Sequence, residues 1–128
     1  MLIDDNESDN FYHKIVIDKA DCANEVITKF SAIEALEYLN NIDETGNIIP
    51  DLIFLDINMP EMNGWEFLEE YARVCERQKK GVVVVMLTTS VNPEDAEKAN
   101  NTNLINEFKN KPLSVEMLEE ITEKYFSN

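Results

Sequence analysis

The sequence alternates between short apolar runs and segments in which apolar residues recur at the helical period, and this alternation limits the folds open to the chain. The runs at 48–56 (IIPDLIFLD) and 82–89 (VVVVMLTT) are almost continuously apolar and rich in β-branched residues, which is typical of strands covered on both faces. Weaker strand candidates lie at 25–30 and 104–110, and residues 1–4 form a fifth, very short one. The sequence therefore predicts five strands.

Helices are predicted between these strands, because apolar stripes and capping residues occur there at suitable spacing. The first stripe consists of Ala32, Ala35, Leu36 and Leu39, and the second of Leu68, Tyr71, Ala72 and Cys75. Capping residues precede four of the predicted helices, at Ser31, Asn63, Asn92 and Ser114. Strand and helix repeated five times, with right-handed crossovers, predict an α/β fold with an open, doubly wound parallel sheet of five strands.

Length and charge narrow the class of protein. A chain of 128 residues with 44% hydrophobic content suits one compact core, so we expect a single domain over residues 1–128. The 26 acidic and 11 basic residues give a net charge of −15, which repels a nucleic acid backbone or an anionic membrane surface. The sequence shows only two cysteines, no secretory leader and no apolar run long enough to cross a bilayer. These features predict a cytoplasmic protein that binds neither nucleic acid nor membrane directly.

The carboxyl ends of the predicted strands hold the candidates for function, because ligands of open α/β sheets bind there. Asp4 and Asp5 follow the first strand, Asp56 follows the third, Thr88 ends the fourth, and Lys111 follows the fifth. Three carboxylates, a hydroxyl and an ammonium are therefore expected to meet at one edge of the sheet.

The chemistry of this set favours a metal ion and phosphoryl transfer. Three clustered aspartates repel one another and raise their own pKa values unless a cation neutralises them. Mg²⁺ is the expected cation because it takes oxygen ligands and keeps several waters, whereas zinc would find a single histidine, His13, in the sequence. A carboxylate can act as a nucleophile and form an aspartyl phosphate, while lysine and threonine hold the other phosphoryl oxygens.

The sequence resembles the receiver domain of two-component response regulators in four motifs: DD (4–5), DINMPEMNG (56–64), LTT (87–89) and KP (111–112). The resemblance covers essentially the whole chain. It implies the flavodoxin-like, chemotaxis-regulator (CheY-like) form of the fold, with strand order 2-1-3-4-5. It also implies a phospho-accepting signalling switch rather than an enzyme that acts on outside substrates.

The resemblance implies a role for each acidic residue of the motifs. Asp56 would accept a phosphoryl group from a phosphohistidine on a sensor histidine kinase or phosphotransfer protein. Asp5 would bind Mg²⁺ directly, together with Asp56 and the backbone carbonyl of Asn58. Asp4 would act on the metal through water.

The resemblance also implies how phosphorylation changes the shape of the domain. Thr88 would hydrogen-bond the phosphoryl group, and Lys111 would pair with another of its oxygens. Phe108 matches the family's aromatic switch position, and the Lys111–Pro112 peptide is expected to be cis. The added dianion would bias two conformers, and a downstream effector protein would read the face formed by the fourth helix, fifth strand and fifth helix.

Three further positions are expected to modulate the site. Thr89 stands where the family usually has a small residue, so its bulk would narrow access to the phosphoryl group. Asn58 and Ser90, two residues beyond Asp56 and Thr88, stand where family members differ in dephosphorylation rate. The lifetime of the phosphorylated state is therefore not transferable from the family.

Two other functions remain as alternatives to a stand-alone receiver, which we favour because the sequence ends with the fifth helix. A degenerate receiver would bind partners without phosphorylation, although its acidic, threonine and lysine set is complete. A Mg²⁺-dependent phosphohydrolase of the haloacid-dehalogenase type would use Asp56 as its nucleophile. Such an enzyme needs a second aspartate two residues later, where this chain has Asn58.

Several residues outside the motifs are assigned no role. His13, beside Lys14 in the first helix, is expected at the surface, and Trp65 in the first turn of the third helix is expected to be partly exposed. Cys75 is expected in the core. Only three residues precede Asp4, so either the first strand is unusually short or the natural start lies upstream.

Overall fold

The computed structural model of the protein describes residues 1–42, 46–74, 79 and 81–126, and strands and helices alternate along them. The strands are β1 (Leu2–Ile3), β2 (Thr28–Lys29), β3 (Leu52–Leu55), β4 (Val83–Thr88) and β5 (Glu107–Asn110). The helices are α1 (Glu7–Ala20), α2 (Ala32–Asn40), α3 (Gly64–Tyr71), α4 (Pro93–Asn101) and α5 (Val115–Phe126). Across these described ranges no helix has the length and apolar character needed to cross a membrane.

All five strands lie parallel in one sheet, in the order β2-β1-β3-β4-β5. The β1 strand lies between β2 and β3, although it has only 2 residues. Its pairing extends one residue further at each end, because the carbonyl of Met1 accepts from Phe54 N–H and the N–H of Asp4 donates to the carbonyl of Lys29. The predicted α/β fold with strand order 2-1-3-4-5 is confirmed.

Helices cover both faces of this sheet, and the side chains of β4 alternate between two apolar clusters. Val84 and Met86 belong to a cluster with residues of α2 and α3, whereas Val83, Val85 and Leu87 belong to a cluster with residues of α1 and α5. Every residue of β4 is buried, which accounts for its continuous apolar sequence. The sheet therefore lies between two layers of helices, with α1 against α5 and α2 against α3.

The predicted capping residues stand at the starts of their helices and accept backbone N–H groups there. Ser31 and Asn92 each accept one from the first turn of the helix that follows. Asn63 forms a reciprocal capping box with Glu66. The Oγ of Ser114 accepts from the third residue beyond it, at 3.2 Å. Local sequence therefore sets these four helix starts.

The second apolar stripe differs from the prediction at its end. The α3 helix ends at Tyr71, so the inclusion of Ala72 in the buried stripe is wrong, and Ala72 is exposed. Val74, beyond the helix, is buried instead. The predicted burial of Cys75 falls outside the described residues and stays a prediction. Trp65 is partly exposed, as predicted.

Candidate functional site

The carboxyl edge of the sheet brings together side chains from the ends of four strands. Asp4 directly follows β1, Asp56 directly follows β3, Thr88 is the last residue of β4, and Lys111 directly follows β5. Carboxylate oxygens of Asp4, Asp5 and Asp56 all lie within 4.8 Å of one another. The parallel sheet therefore places the predicted carboxylates around one point.

Lys111 is shared among carboxylates at this edge. Its Nζ lies 2.5 Å from Asp4 Oδ2, 2.8 Å from Asp9 Oδ2 and 3.6 Å from Asp56 Oδ1. Burial alone would lower the pKa of Lys111, but the hydrogen bonds to Asp4 and Asp9, together with the charges of Asp4 and Asp56, outweigh it and raise that pKa. Lys111 therefore stays charged and neutralises part of the acidic cluster.

Asp56 carries the most perturbed carboxyl group of the site. The residue is only 8% exposed. Burial, followed by repulsion from Asp4, raises the pKa of Asp56 from 3.8 to about 6, although the Lys111 ammonium opposes this shift. An ionised Asp56 therefore lacks sufficient neutralisation from the protein, which is the electrostatic condition that favours a bound cation.

Asp4 and Asp5 differ in how far the protein occupies their oxygens. Asp4 is buried, with Oδ1 accepting from Asn6 N–H at 3.0 Å and Oδ2 accepting from Lys111. Asp5 is exposed. The more accessible carboxylate is therefore that of Asp5.

Thr88 lies beneath the loop that follows β4. It is fully buried, and its Oγ1 accepts a hydrogen bond from Ser90 N–H at 3.0 Å. Among the described residues, Thr88 forms no hydrogen bond to Asp56. The two neighbouring modulating positions, Thr89 and Asn58, are both exposed.

The predicted aromatic position and the proline peptide both lie on β5 or directly after it. Phe108 is half-buried and packs against the cluster between the sheet and the α2 and α3 helices. The Lys111–Pro112 peptide is cis, as expected.

His13 corrects the prediction of a surface residue. It is only 3% exposed and lines a small cavity with Asp4, Asn10 and Asp56. Burial, followed by the nearby Lys111 charge, lowers the pKa of His13, so the neutral imidazole is favoured. The expectation is wrong because the buried face of α1 carries polar as well as apolar residues, and its polar part, Asn10 and His13, lies against the carboxyl end of β1.

Asp9 and Asn10 are site residues that the sequence argument missed. Asp9 binds Lys111, and Asn10 Nδ2 donates to the backbone carbonyls of Asp4 at 2.9 Å and Lys29 at 3.4 Å. The available signal was the helical spacing of Asn10 with the buried His13 and Ile17, which places them on one face. Strand ends alone do not reveal side chains that a helix brings to the same edge.

A 2-1-3-4-5 parallel sheet with acidic, hydroxyl and lysine side chains at its carboxyl edge defines a class of signalling receiver domains. Residues 1–123 match the response regulator receiver domain. The chain belongs to this family and is a response regulator receiver.

Individual relatives agree with this assignment. A two-component response regulator from Cytophaga hutchinsonii has a solved structure that is 29% identical, with a TM-score of 0.87 over 99% of this chain and 95% of that chain. The phosphorylated cyanobacterial phytochrome response regulator RcpA is also 29% identical, with a TM-score of 0.77 over 98% of this chain and 91% of that chain.

A relative known by its sequence is longer than this chain. The probable methanogenesis regulatory protein FilR2 from Methanothrix harundinacea is 33% identical over 90 residues, which are 70% of this chain and 56% of that protein. The chain therefore spans little more than half the length of this relative.

Proposed function

We propose that Asp56 is the phosphoryl acceptor of this receiver and that its modification switches the domain between two conformers. The observation that carries the proposal is a buried carboxylate with two further aspartates within 4.8 Å and an ammonium at 3.6 Å. The ammonium would offset negative charge on one side of an incoming phosphoryl group, and a cation held by the aspartates would offset it on the other. Positioning and charge neutralisation are the main requirements of phosphoryl transfer.

The reaction transfers one phosphoryl group and needs no oxidant or reductant. A carboxylate oxygen of Asp56 attacks phosphorus, the P–N bond of a phosphohistidine breaks, and the bonding electron pair stays on the imidazole nitrogen. A P–O bond forms, so Asp56 becomes an acyl phosphate. Later attack by water breaks that bond, releases inorganic phosphate and restores the carboxylate.

The donor set fits Mg²⁺, which takes hard oxygen ligands. The ion would be held by Asp5, Asp56 and the backbone carbonyl of Asn58. Asp5 and Asp56 lie together at the carboxyl edge of the sheet, and Asn58 follows Asp56 by two residues. Both oxygens of Asp4 already accept hydrogen bonds from the protein, which supports a role for Asp4 through water. Bound Mg²⁺ supplies positive charge for the phosphoryl oxygens.

Lys111 and Thr88 are the proposed partners of the attached phosphoryl group. The Lys111 ammonium already lies at the edge, held by Asp4 and Asp9, and a phosphoryl dianion on Asp56 would draw it away from them. The Thr88 hydroxyl would donate to a second oxygen. Movement of Thr88 would free space for the half-buried ring of Phe108, so a change in charge becomes a change in shape.

The proposed partners follow from this chemistry. A sensor histidine kinase or phosphotransfer protein donates the phosphoryl group, and an effector protein recognises the altered surface. Asn58, in place of a second acidic group, disfavours turnover of outside substrates, so the proposed activity is self-phosphorylation and self-dephosphorylation alone. The cytoplasmic location stays a prediction.

Intact-mass spectrometry after incubation with acetyl phosphate tests this proposal. Wild type is expected to gain the mass of one phosphoryl group with Mg²⁺ and none after chelation, and Asp56→Asn is expected to gain none. Asp51→Asn is the matched control, because it removes an exposed carboxylate that precedes β3 instead of following it. Failure of wild type to gain the group, together with failure to bind beryllofluoride, would favour a phosphorylation-independent binding module.

A further inference from the structure

The first turns of α3 and α4 are joined by a chain of side-chain hydrogen bonds. Trp65 Nε1 donates to Asp95 Oδ1 at 3.0 Å, and Ser90 Oγ donates to Asp95 Oδ2 at 2.5 Å. Both oxygens of Asp95 are therefore occupied, one by a residue of α3 and the other by the loop between β4 and α4. We call this set the Trp65–Asp95–Ser90 clasp.

A second contact holds the same tryptophan to α4. The ammonium of Lys98 lies 5.7 Å from the centre of the Trp65 ring, within the range of a cation–π interaction. Asp95 and Lys98 are three residues apart and lie on one face of the helix. The α4 helix therefore contacts Trp65 in two ways, through the hydrogen bond from the indole N–H and through the cation–π interaction with the ring face.

The clasp reaches the phosphorylation site through the backbone of Ser90. The N–H of Ser90 donates to Thr88 Oγ1 at 3.0 Å, while its side chain is tied to Asp95. Rotation that carries Thr88 Oγ1 towards Asp56 breaks this bond unless Ser90 moves as well. Ser90 moves freely only after its hydroxyl leaves Asp95.

We infer that the Trp65–Asp95–Ser90 clasp stabilises the unphosphorylated conformer by restraining the loop that Thr88 must carry with it. Asp95 is thus a positioning residue: it touches neither the phosphoryl group nor the metal and acts on Thr88 through Ser90. The inference rests on the proposed function, because the clasp opposes phosphorylation only if Thr88 turns towards a phosphoryl group on Asp56.

The clasp and the phosphoryl group oppose each other, so their effects are reciprocal. Phosphorylation weakens the clasp, and loss of the clasp favours the phosphorylated conformer. A hydrogen bond of ordinary net strength changes such an equilibrium by about two- to tenfold. The same rearrangement releases the indole of Trp65, which is the only tryptophan in the chain.

Calorimetric titration with beryllofluoride, a phosphoryl mimic, at constant Mg²⁺ tests the inference. Ser90→Ala and Asp95→Ala each remove the bond between Ser90 and Asp95, and Trp65→Phe removes the indole bond that holds Asp95 in place. Each variant is expected to bind beryllofluoride about two- to tenfold more tightly than wild type. The Ser90→Ala and Trp65→Phe double variant is expected to bind no more tightly than the better single variant, because Trp65 acts on Ser90 only through Asp95 and Ser90→Ala has already removed that link.

Glu94→Ala is the matched control, since Glu94 is an exposed carboxylate in the same first turn of α4. It is expected to retain wild-type affinity. Tryptophan emission supplies a spectroscopic signature. Beryllofluoride is expected to change the emission of wild type, and Asp95→Ala is expected to show the altered emission already without beryllofluoride. A purely structural role would lower the urea midpoint without tightening the binding.

The possible failures are distinguishable. Absence of beryllofluoride binding by wild type overturns the proposed function and the clasp with it. If wild type binds while the three single variants bind with equal or lower affinity, the clasp inference fails and the proposed function stands. Additive gains in the double variant overturn the claim that the three residues act as one unit.

Discussion

Lys111 shows how single residues at this site hold several charges in balance. Its ammonium lies closer to Asp4 and Asp9 than to Asp56, so Asp56, the proposed acceptor, receives the weakest neutralisation from Lys111. Burial, followed by repulsion from Asp4, raises the pKa of Asp56, and the Lys111 ammonium offsets this shift only in part. In the proposed function, the same imbalance favours a second cation at Asp56, and a phosphoryl group there would draw Lys111 away from Asp4 and Asp9.

Replacement of Asp56 by asparagine is expected to stabilise the metal-free protein at alkaline pH. The folded-state pKa of about 6 lies above the ordinary value of 3.8, so the folded protein holds the proton more tightly than the unfolded chain. The protonated Asp56 carboxyl makes its full contribution to the free energy of unfolding below pH 3.8, and this contribution is lost as pH rises through 6. Asparagine does not ionise and avoids that loss, which is on the order of 3 kcal/mol.

Urea unfolding of wild type and Asp56→Asn with a chelator, at several pH values between 4 and 8, measures this effect. The advantage of the variant should grow from pH 4 to pH 7 and then level off. An advantage that does not depend on pH, or a variant less stable than wild type at pH 8, contradicts the assigned electrostatics of Asp56.

Magnesium is expected to stabilise wild type through Asp5. At ten times its dissociation constant the ion contributes about 1.4 kcal/mol, which raises the melting temperature by about 3–8 °C. Asp5→Asn is expected to lose most of this shift, whereas Asp51→Asn is expected to retain it. Thermal unfolding with and without Mg²⁺ measures the difference, and an equal shift in both variants argues against Asp5 as a direct ligand.

At the scale of elements, the start of α3 lies directly against the segment that carries Asp56. The N–H of Gly64 donates to the carbonyl of Ile57 at 2.7 Å. A Cβ at position 64 would lie 2.5 Å from the carbonyl oxygen of Asp56 and 3.0 Å from Ile57 Cα. Only glycine allows this approach, so the start of α3 and Asp56 are positioned together.

Gly64→Ala is expected to destabilise the protein by about 1–3 kcal/mol. Helix propensity alone predicts the opposite sign, because alanine is the better helix former by roughly 1 kcal/mol. The contact with backbone atoms reverses the sign, and it is also expected to slow acetyl phosphate labelling by displacing Asp56. Denaturant unfolding together with labelling rates measures both effects, and a variant at least as stable as wild type refutes the close approach.

The elements themselves were largely predictable, because capping residues and apolar runs act locally. Asn63 and Ser114 set helix starts that the chain adopts, and the run at 82–89 contains the fully buried β4. The end of α3 at Tyr71 was not predicted, because apolar periodicity continues into Ala72 while the helix does not. His13 was misplaced because burial of a polar stripe depends on partners from other elements.

At the scale of the whole molecule, alternation of strands and helices predicts the class of fold but leaves the order of strands undetermined. That order came from the resemblance to receiver domains, and the observed sheet confirms it. The site could be predicted because a parallel sheet collects strand ends at one edge. The ion pair of Asp9 with Lys111 and the Trp65–Asp95–Ser90 clasp both connect residues that are far apart in the chain. No local sequence pattern indicates such contacts.

The net charge of −15 also belongs to the whole molecule. Charge of this size disfavours polyanionic partners and favours complementary basic patches on a kinase or an effector. A phosphoryl group on Asp56 would change the total charge of the molecule only slightly. It would change the local charge at the carboxyl edge of the sheet strongly.

The most direct test of Asp56 as the phosphoryl acceptor identifies the modified residue itself. Protein labelled with acetyl phosphate and Mg²⁺ is reduced with borohydride, which converts an aspartyl phosphate to homoserine, and peptides are then sequenced by mass spectrometry. Homoserine is expected at position 56, with Asp4, Asp5 and Asp9 unmodified. Homoserine at another aspartate, or a phosphoryl group that resists reduction, would contradict the assignment of Asp56 as the acceptor.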